Sequence, residues 1–347
     1  MKLPECLSWP AVVSVVGTGR GSGKTTVANA LLEAGLKNKK RLGVIPVGKG
    51  GHSTPLRLSK GTLVALAKNC EMTSRLELRE ELEGNTPWGE VLIGRARQAS
   101  EAVIAGPVTL HDTMEAAQRL IAEGAELVVV DGSFGRLSAS DSHLAQCYIL
   151  AIGADPVDRW VRKEQLERLR TIALMPKGHW EVPSPSAYGK RGQPALWQKD
   201  HWVAIPEPDT EHAAAGYLVA AGYLVAAGYQ NKQGSSSTTA PGREFYQAAD
   251  LAAAEVIYWP GAFTDRTSQV LDRFSSPAAL LLDQPWHLLC SQERWQALWR
   301  GGWSFFAREK ALLAWVTVNP RALDGHMESS TRLLEEAGNA FQTVECR

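Results

Sequence analysis

Cysteine is sparse in this chain and shows no pattern. Five residues (Cys6, Cys70, Cys147, Cys290, Cys346) lie far apart, odd in number and without a CxxC pair. Reduced thiols fit that usage better than a disulfide framework or a zinc site. Charge of either sign is not in excess: Lys plus Arg and Asp plus Glu each number 37, so no bulk field draws the protein to nucleic acid or to a membrane. No stretch approaches the ~20 apolar residues of a membrane helix. Met1-Lys2-Leu3-Pro4-Glu5 opens no signal segment, because the first apolar run ends in a glycine-rich turn. GxSxG is missing, and no histidine spacing suggests a metal cage. Together these absences lead to the expectation of a cytoplasmic protein that contacts neither nucleic acid nor membrane.

What is present is an ordinary globular composition, 44% hydrophobic and 21% charged over 347 residues, long enough for two cores. Its strongest motif is Gly17-Thr18-Gly19-Arg20-Gly21-Ser22-Gly23-Lys24-Thr25-Thr26, after Ala11-Val12-Val13-Ser14-Val15-Val16 and before Val27-Ala28-Asn29-Ala30-Leu31-Leu32. Strand, glycine-rich turn and helix in that order are the setting of a phosphate-binding P-loop. Glycines let backbone N–H groups crowd an anion, and the helix start adds unpaired N–H groups and the positive end of its dipole. In this reading the ten residues bind ATP, Lys24 reaches the β/γ phosphates, and the Thr25 hydroxyl helps to hold Mg²⁺. Thr18 stands where GxxxxGK[ST] has its first glycine, and Gly17 comes one residue earlier. That longer form resembles the loop of dethiobiotin synthetase and related nucleotide-dependent enzymes.

A P-loop needs an acidic partner for the metal. Leu127-Val128-Val129-Val130-Asp131-Gly132 supplies one, since an apolar strand delivers Asp131 to the carboxyl end of a sheet, where ligands bind in open α/β folds. Asp131 is therefore the second expected metal ligand and, with Lys24, the expected catalytic pair; a simple turn cap is the alternative. Arg136, in the following loop, is either a charge stabiliser or a solvated surface residue. Lys49 and His52 lie just past the second strand, where Lys49 could contact phosphate or an acidic substrate, or be an exposed turn lysine. His111 reads more readily as a loop histidine than as a general base.

The first half alternates apolar runs with helical patterns, which predicts a parallel sheet covered by helices. Strands are expected at Leu42-Gly43-Val44-Ile45-Pro46-Val47, Ala102-Val103-Ile104-Ala105, Leu127-Val128-Val129-Val130 and Tyr148-Ile149-Leu150-Ala151-Ile152. A helix is expected over 113–122, with Asp112 and Glu115 as its capping box. Residues 160–170 read as a helix and Ile172-Ala173-Leu174-Met175 as a strand. Gly216-Tyr217-Leu218-Val219-Ala220-Ala221 repeats unchanged at 222–227, a duplication too short for a solenoid. Residues 231–242, rich in Ser, Thr and Gly, read as a linker. A second α/β pattern follows, with strands at Val256-Ile257-Tyr258-Trp259, Leu280-Leu281-Leu282, Leu313-Ala314-Trp315-Val316-Thr317-Val318 and Phe341-Gln342-Thr343-Val344. Ten of the twelve tryptophans fall between 160 and 315, and core and interface packing is their expected role. The expected fold is α/β: a P-loop NTPase domain with a mostly parallel sheet over 1–153, an irregular middle over 154–242, and a smaller C-terminal α/β domain over 243–347.

Several further segments look like one family. They are Gly61-Thr62-Leu63-Val64-Ala65, Asn85-Thr86-Pro87-Trp88-Gly89-Glu90-Val91, Ile104-Ala105-Gly106-Pro107 and Val129-Val130-Asp131-Gly132-Ser133. Trp259-Pro260-Gly261-Ala262-Phe263-Thr264-Asp265-Arg266 and Val316-Thr317-Val318-Asn319-Pro320 continue the series in order. With the loop, they resemble the P-loop ATPase subunit encoded beside the cobalamin- and PLP-dependent lysine 5,6-aminomutase and ornithine aminomutase, over residues 11–153 and 255–345. That resemblance implies a reactivating factor that works with a MutS-like ATPase on an aminomutase whose cobalamin has been damaged, and it leaves room for a homo-oligomer. A small-molecule ATP-dependent synthetase or kinase of the dethiobiotin-synthetase type is the alternative, with Lys49 as its candidate substrate contact. A nucleotide-binding scaffold without turnover stays open as well, because the sequence identifies no residue for an attacking water.

Overall fold

A computed structural model of the chain describes residues 2–48, 54–132, 137–154, 159–180, 195–198, 201–204, 254–274, 276–322 and 325–341. Lys49, His52, Arg136, the repeated hexapeptide, the 231–242 segment and the last three residues of the expected final strand lie outside that set. Two units emerge: Met1–Ala173 together with Ala311–Arg347, and Leu174–Lys310.

The elements of the first unit begin with β1 (Ala11–Gly17), α1 (Lys24–Lys37), β2 (Leu42–Pro46), β3 (Leu56–Leu58) and β4 (Leu63–Ala67). Next come β5 (Leu76–Thr86), β6 (Gly89–Ala96), β7 (Ser100–Ala102), α2 (Leu110–Ala122), β8 (Leu127–Asp131), β9 (Cys147–Gly153) and α3 (Arg159–Leu174). The second unit holds β10 (Ala195–Gln198), β11 (His201–Ala204), β12 (Val256–Trp259), α4 (Asp265–Ser268), β13 (Ala279–Leu282), α5 (Gln292–Arg300) and β14 (Ser304–Ala307). The chain then returns to the first unit with β15 (Leu312–Asn319) and α6 (Ser330–Phe341).

An eight-stranded sheet in the order β15-β9-β1-β8-β2-β4-β6-β5 forms the first unit. From β15 to β4 every pairing is parallel, and the β5–β6 hairpin closes the other edge antiparallel. The continuous apolar runs of β1, β2, β8 and β9 follow from burial on both faces. β8 shows the alternation: Leu127 and Val129 pack with Val27, Ala28 and Leu31 of α1, whereas Val128 and Val130 pack with Ala116 and Leu120 of α2. Each such side chain contributes about 1.5–3 kcal/mol relative to exposure. In the second unit, β12, β13 and β14 are parallel and β10–β11 extends the sheet antiparallel. Trp259 and Trp303 are buried in that unit's core, as expected of the tryptophans, but Trp299 is exposed.

Four expectations are corrected. No C-terminal domain starts at 243 and runs to the end: the second unit begins at Leu174 and stops at Lys310, and the segment after it completes the first sheet. The reason is the edge of β9, which pairs with β15 from Cys147 to Gly153, while Leu313, Val316 and Val318 pack with Tyr148 and Ile152. Residues 172–174 are the last turn of α3 and not a strand, because Leu166, Leu169 and Ala173 keep one helical face against Tyr148 and Leu150. α2 starts at Leu110, with the Thr109 hydroxyl accepting from Asp112 N at 3.0 Å. The expected Asp112 cap is thus pre-empted by an earlier residue with a better-placed acceptor. The expected strand at 102–105 is also displaced: β7 is Ser100–Ala102 and shares only Ala102 with it, while Ala105 accepts from Ala67 N at 2.8 Å. Among the described residues no helix is long and apolar enough to cross a membrane.

Candidate functional site

Six parallel strands end along one edge of the first unit. Register sets Asp131, the last residue of β8, beside Val15 on one flank and Pro46 on the other, and sets Gly17 beside Ala151. The turn from β1 to α1 therefore passes over the edge that presents Asp131.

The turn is tied to β9 by Thr18. Its N–H donates to Ala151 O at 3.1 Å, and its hydroxyl accepts from Gly153 N at 3.2 Å. The departure from glycine at this position thus adds an acceptor that glycine lacks. Gly17 has no such freedom, since a Cβ there would meet the Ser22 hydroxyl and come within 2.9 Å of Lys24 Cγ. Gly23 has φ +91°, a left-handed conformation that a side chain would strain. Its carbonyl accepts from Val27 N at 3.0 Å and starts α1. No side chain caps α1 and no acidic residue stands in its first turn, so the positive end of the helix carries no negative charge from its own sequence.

Lys24 opens α1 and folds back over the turn, donating to Gly19 O at 2.6 Å and to the Ser22 hydroxyl at 3.3 Å. Burial pulls its pKa down, and the Asp131 charge acts against that pull. The Thr25 hydroxyl donates to Asp131 Oδ2 at 2.9 Å across 106 residues of sequence. Asp131 is buried, and desolvation pushes its carboxyl up to about 6 in spite of the Thr25 hydrogen bond and the Lys24 charge. Ser22 and Gly19 are buried, whereas Arg20 and Thr26 are exposed.

The sequence reading placed Gly17, Thr18, Gly19, Arg20, Gly21, Ser22, Gly23, Lys24, Thr25, Thr26 and Asp131 together, and Thr25 and Asp131 do meet. His111 lies exposed in the first turn of α2. One residue was not singled out: Asn319, at the end of β15, donates from Nδ2 to Gly21 O at 2.6 Å. No spacing rule reaches it, because it lies beyond the second unit; a strand ending in Asn-Pro was its only trace.

The chemistry open to this arrangement is narrow. A cation, a helix start without side-chain acceptors, and an adjoining hydroxyl and carboxylate suit a polyphosphate with a hard divalent cation that prefers oxygen ligands. Comparison of the chain with protein-family models, with curated proteins and with solved structures returned no match.

Proposed function

We propose that this protein is a P-loop ATPase that binds Mg²⁺-ATP through residues 17–26 and couples hydrolysis to reactivating or remodelling a cobalamin-dependent aminomutase, together with a MutS-like ATPase. The observation that carries the nucleotide reading is the Thr25–Asp131 hydrogen bond of 2.9 Å beside the Lys24 ammonium. A hydroxyl and a carboxylate side by side fit Mg²⁺, which takes few protein ligands and keeps its remaining sites for water and phosphate oxygen. When bound, the ion would neutralise charge on the β and γ phosphates. Lys24 would exchange Gly19 O for a phosphate oxygen, and the α1 amides would hold the anion in place. The partner assignment rests on the six segments whose order resembles the aminomutase-associated subunit.

The test is nucleotide binding and turnover in the wild type and in Lys24→Ala, followed by turnover with partners. Lys24→Ala should leave the fold intact, because the partners of the ammonium, Gly19 O and the Ser22 hydroxyl, lie within the turn and not in the sheet or its core, and should lower turnover at least a hundredfold, as loss of a positioned charge-stabilising donor does. Equal affinity and rate in the two proteins would dismiss the loop as a nucleotide site. The wild-type rate should rise with an inactivated aminomutase and its MutS-like companion. Stoichiometric phosphorylation or ligation of a carboxylate or amine, with no response to either protein, would move the assignment to the synthetase class.

A further inference from the structure

β15 belongs to the first sheet, yet it is made after the whole second unit, and its last residue is in register with Gly153. That residue, Asn319, is held at its backbone carbonyl and at both ends of its side-chain amide. Its carbonyl accepts from Ala154 N at 3.0 Å, which fixes its backbone against the end of β9. Its Oδ1 accepts from Arg321 N at 3.3 Å, and its Nδ2 donates both to Arg321 O at 3.1 Å and to Gly21 O at 2.6 Å. The orientation of the amide follows from those partners. Turning it over would set Oδ1 against two carbonyls and the NH₂ group against a backbone N–H.

The contact with Gly21 has a geometric result. A trans peptide is planar, with its C=O and N–H pointing in opposite directions. Holding the Gly21 carbonyl toward β15 therefore holds the N–H of Ser22 away from β15. A Cβ on Gly23 would come within 3.2 Å of Asn319 Cβ, so the same side chain lies against the left-handed residue that begins α1. Glycines at 21 and 23 leave this part of the turn free to adopt many conformations; Thr18 and Lys24 hold the turn at Thr18 and at Gly19 and Ser22, and Asn319 holds it at Gly21.

We propose that Asn319 is a positioning residue for anion binding: it holds the Gly21–Ser22 peptide so that the turn presents its amides to phosphate, without itself touching the nucleotide. This rests on the nucleotide reading of the loop. The two can fail separately, because one is tested in the wild type and the other by difference from it.

The experiment uses the full chain and displaces a fluorescent ATP analogue, in Mg²⁺, with ATP and with inorganic tripolyphosphate. Wild type, Asn319→Ala, Asn319→Ser and Asn319→Asp are compared at a temperature where circular dichroism shows each to be folded. Asn319→Ala should weaken ATP and tripolyphosphate by the same factor, roughly five- to tenfold for one hydrogen bond. Asn319→Asp should weaken both further, since a carboxylate would face two carbonyls. Asn319→Ser keeps a donor and should fall between wild type and Asn319→Ala, which gives a second reading should Asn319→Ala not fold. Loss for ATP alone would overturn the proposal and make Asn319 a nucleoside contact. Unchanged affinity for both ligands would overturn it too. A wild type that binds neither ligand would refute the nucleotide reading, and this proposal with it.

Discussion

A carboxyl group at the end of a buried strand is costly to ionise, and Asp131 carries that cost with only Thr25 and Lys24 to offset it. Its folded pKa, about 6, stands above the ordinary 3.8. Between those values the folded state binds more protons than the unfolded state. The contribution of this group to stability is therefore full below about pH 4, falls as pH rises to about 6, and is flat above that. Asp131→Asn removes the titration. In chelator-treated protein without nucleotide, the variant should gain on the wild type across that window by on the order of 2–3 kcal/mol. Denaturation at several pH values would measure this, and parallel curves would refute it. On the proposed reading, Mg²⁺ would need the ionised carboxylate, and the affinity for the ion should then weaken below about pH 6. A second residue tests burial without charge. Ser14 is fully buried in β1, and its hydroxyl has no hydrogen-bond partner among the described residues. Ser14→Ala should be neutral or stabilising by up to about 1 kcal/mol, because an unpaired buried hydroxyl contributes only its desolvation cost. A loss of more than that in urea denaturation would show a partner.

At the scale of elements, the cap of α2 separates two residues that sequence alone confuses. Thr109→Ala should cost about 1 kcal/mol, whereas Asp112→Ala should cost only the few tenths of a dipole contact. Equal losses in chemical denaturation would restore Asp112 as the cap. The same local logic explains which parts of the molecule could be read beforehand. β1, β2, β8 and β9 are apolar but for Ser14 and Asp131 because both faces are covered, and the turn at 17–23 sits between clear strand and helix signals. Thr25 and Asp131 were paired in advance because each stands at a fixed offset from such a signal. The β5–β6 hairpin gave no comparable pattern. Its register shifts between Leu78 and Glu80 and again between Leu82 and Asn85, so apolar and charged residues do not alternate as an unbroken strand requires. Those bulges, with Glu77, Glu81 and Arg79 along β5, also suit an edge that should not recruit another strand. The strand at 313–318 was legible, but its place in the first sheet and the contact of Asn319 were not, for a different reason: its partner β9 is chosen by pairing across the length of the second unit, which no local pattern encodes.

For the whole molecule, the return of the chain to its first sheet changes what a truncation can test. A protein ending at Ala173 lacks β15, and with it the pairing of β9 from Cys147 to Gly153 and the Asn319 contact with the turn. It should bind nucleotide at least tenfold more weakly than the full chain, or aggregate through the uncovered strand. A chain in which a flexible Gly/Ser linker replaces 174–310 keeps every one of those contacts. It should retain nucleotide affinity within a few-fold of the full chain while losing any response to a protein partner that needs the second unit. Isothermal titration of both proteins decides the matter. Binding by the 1–173 protein as tight as that of the full chain would show that the first sheet does not depend on β15.

The interruption also has a consequence during synthesis. At about 5–20 residues per second, the ribosome takes roughly ten to thirty seconds to proceed from Gly153 to Asn319. Throughout that time the nascent first sheet ends at β9, whose seven residues are all buried in the finished protein. A strand of that composition with its pairing groups free is a template for any neighbouring chain. Production of this protein should therefore be limited by what shields β9 before β15 arrives, and slower elongation through the second unit should lower the soluble yield rather than raise it.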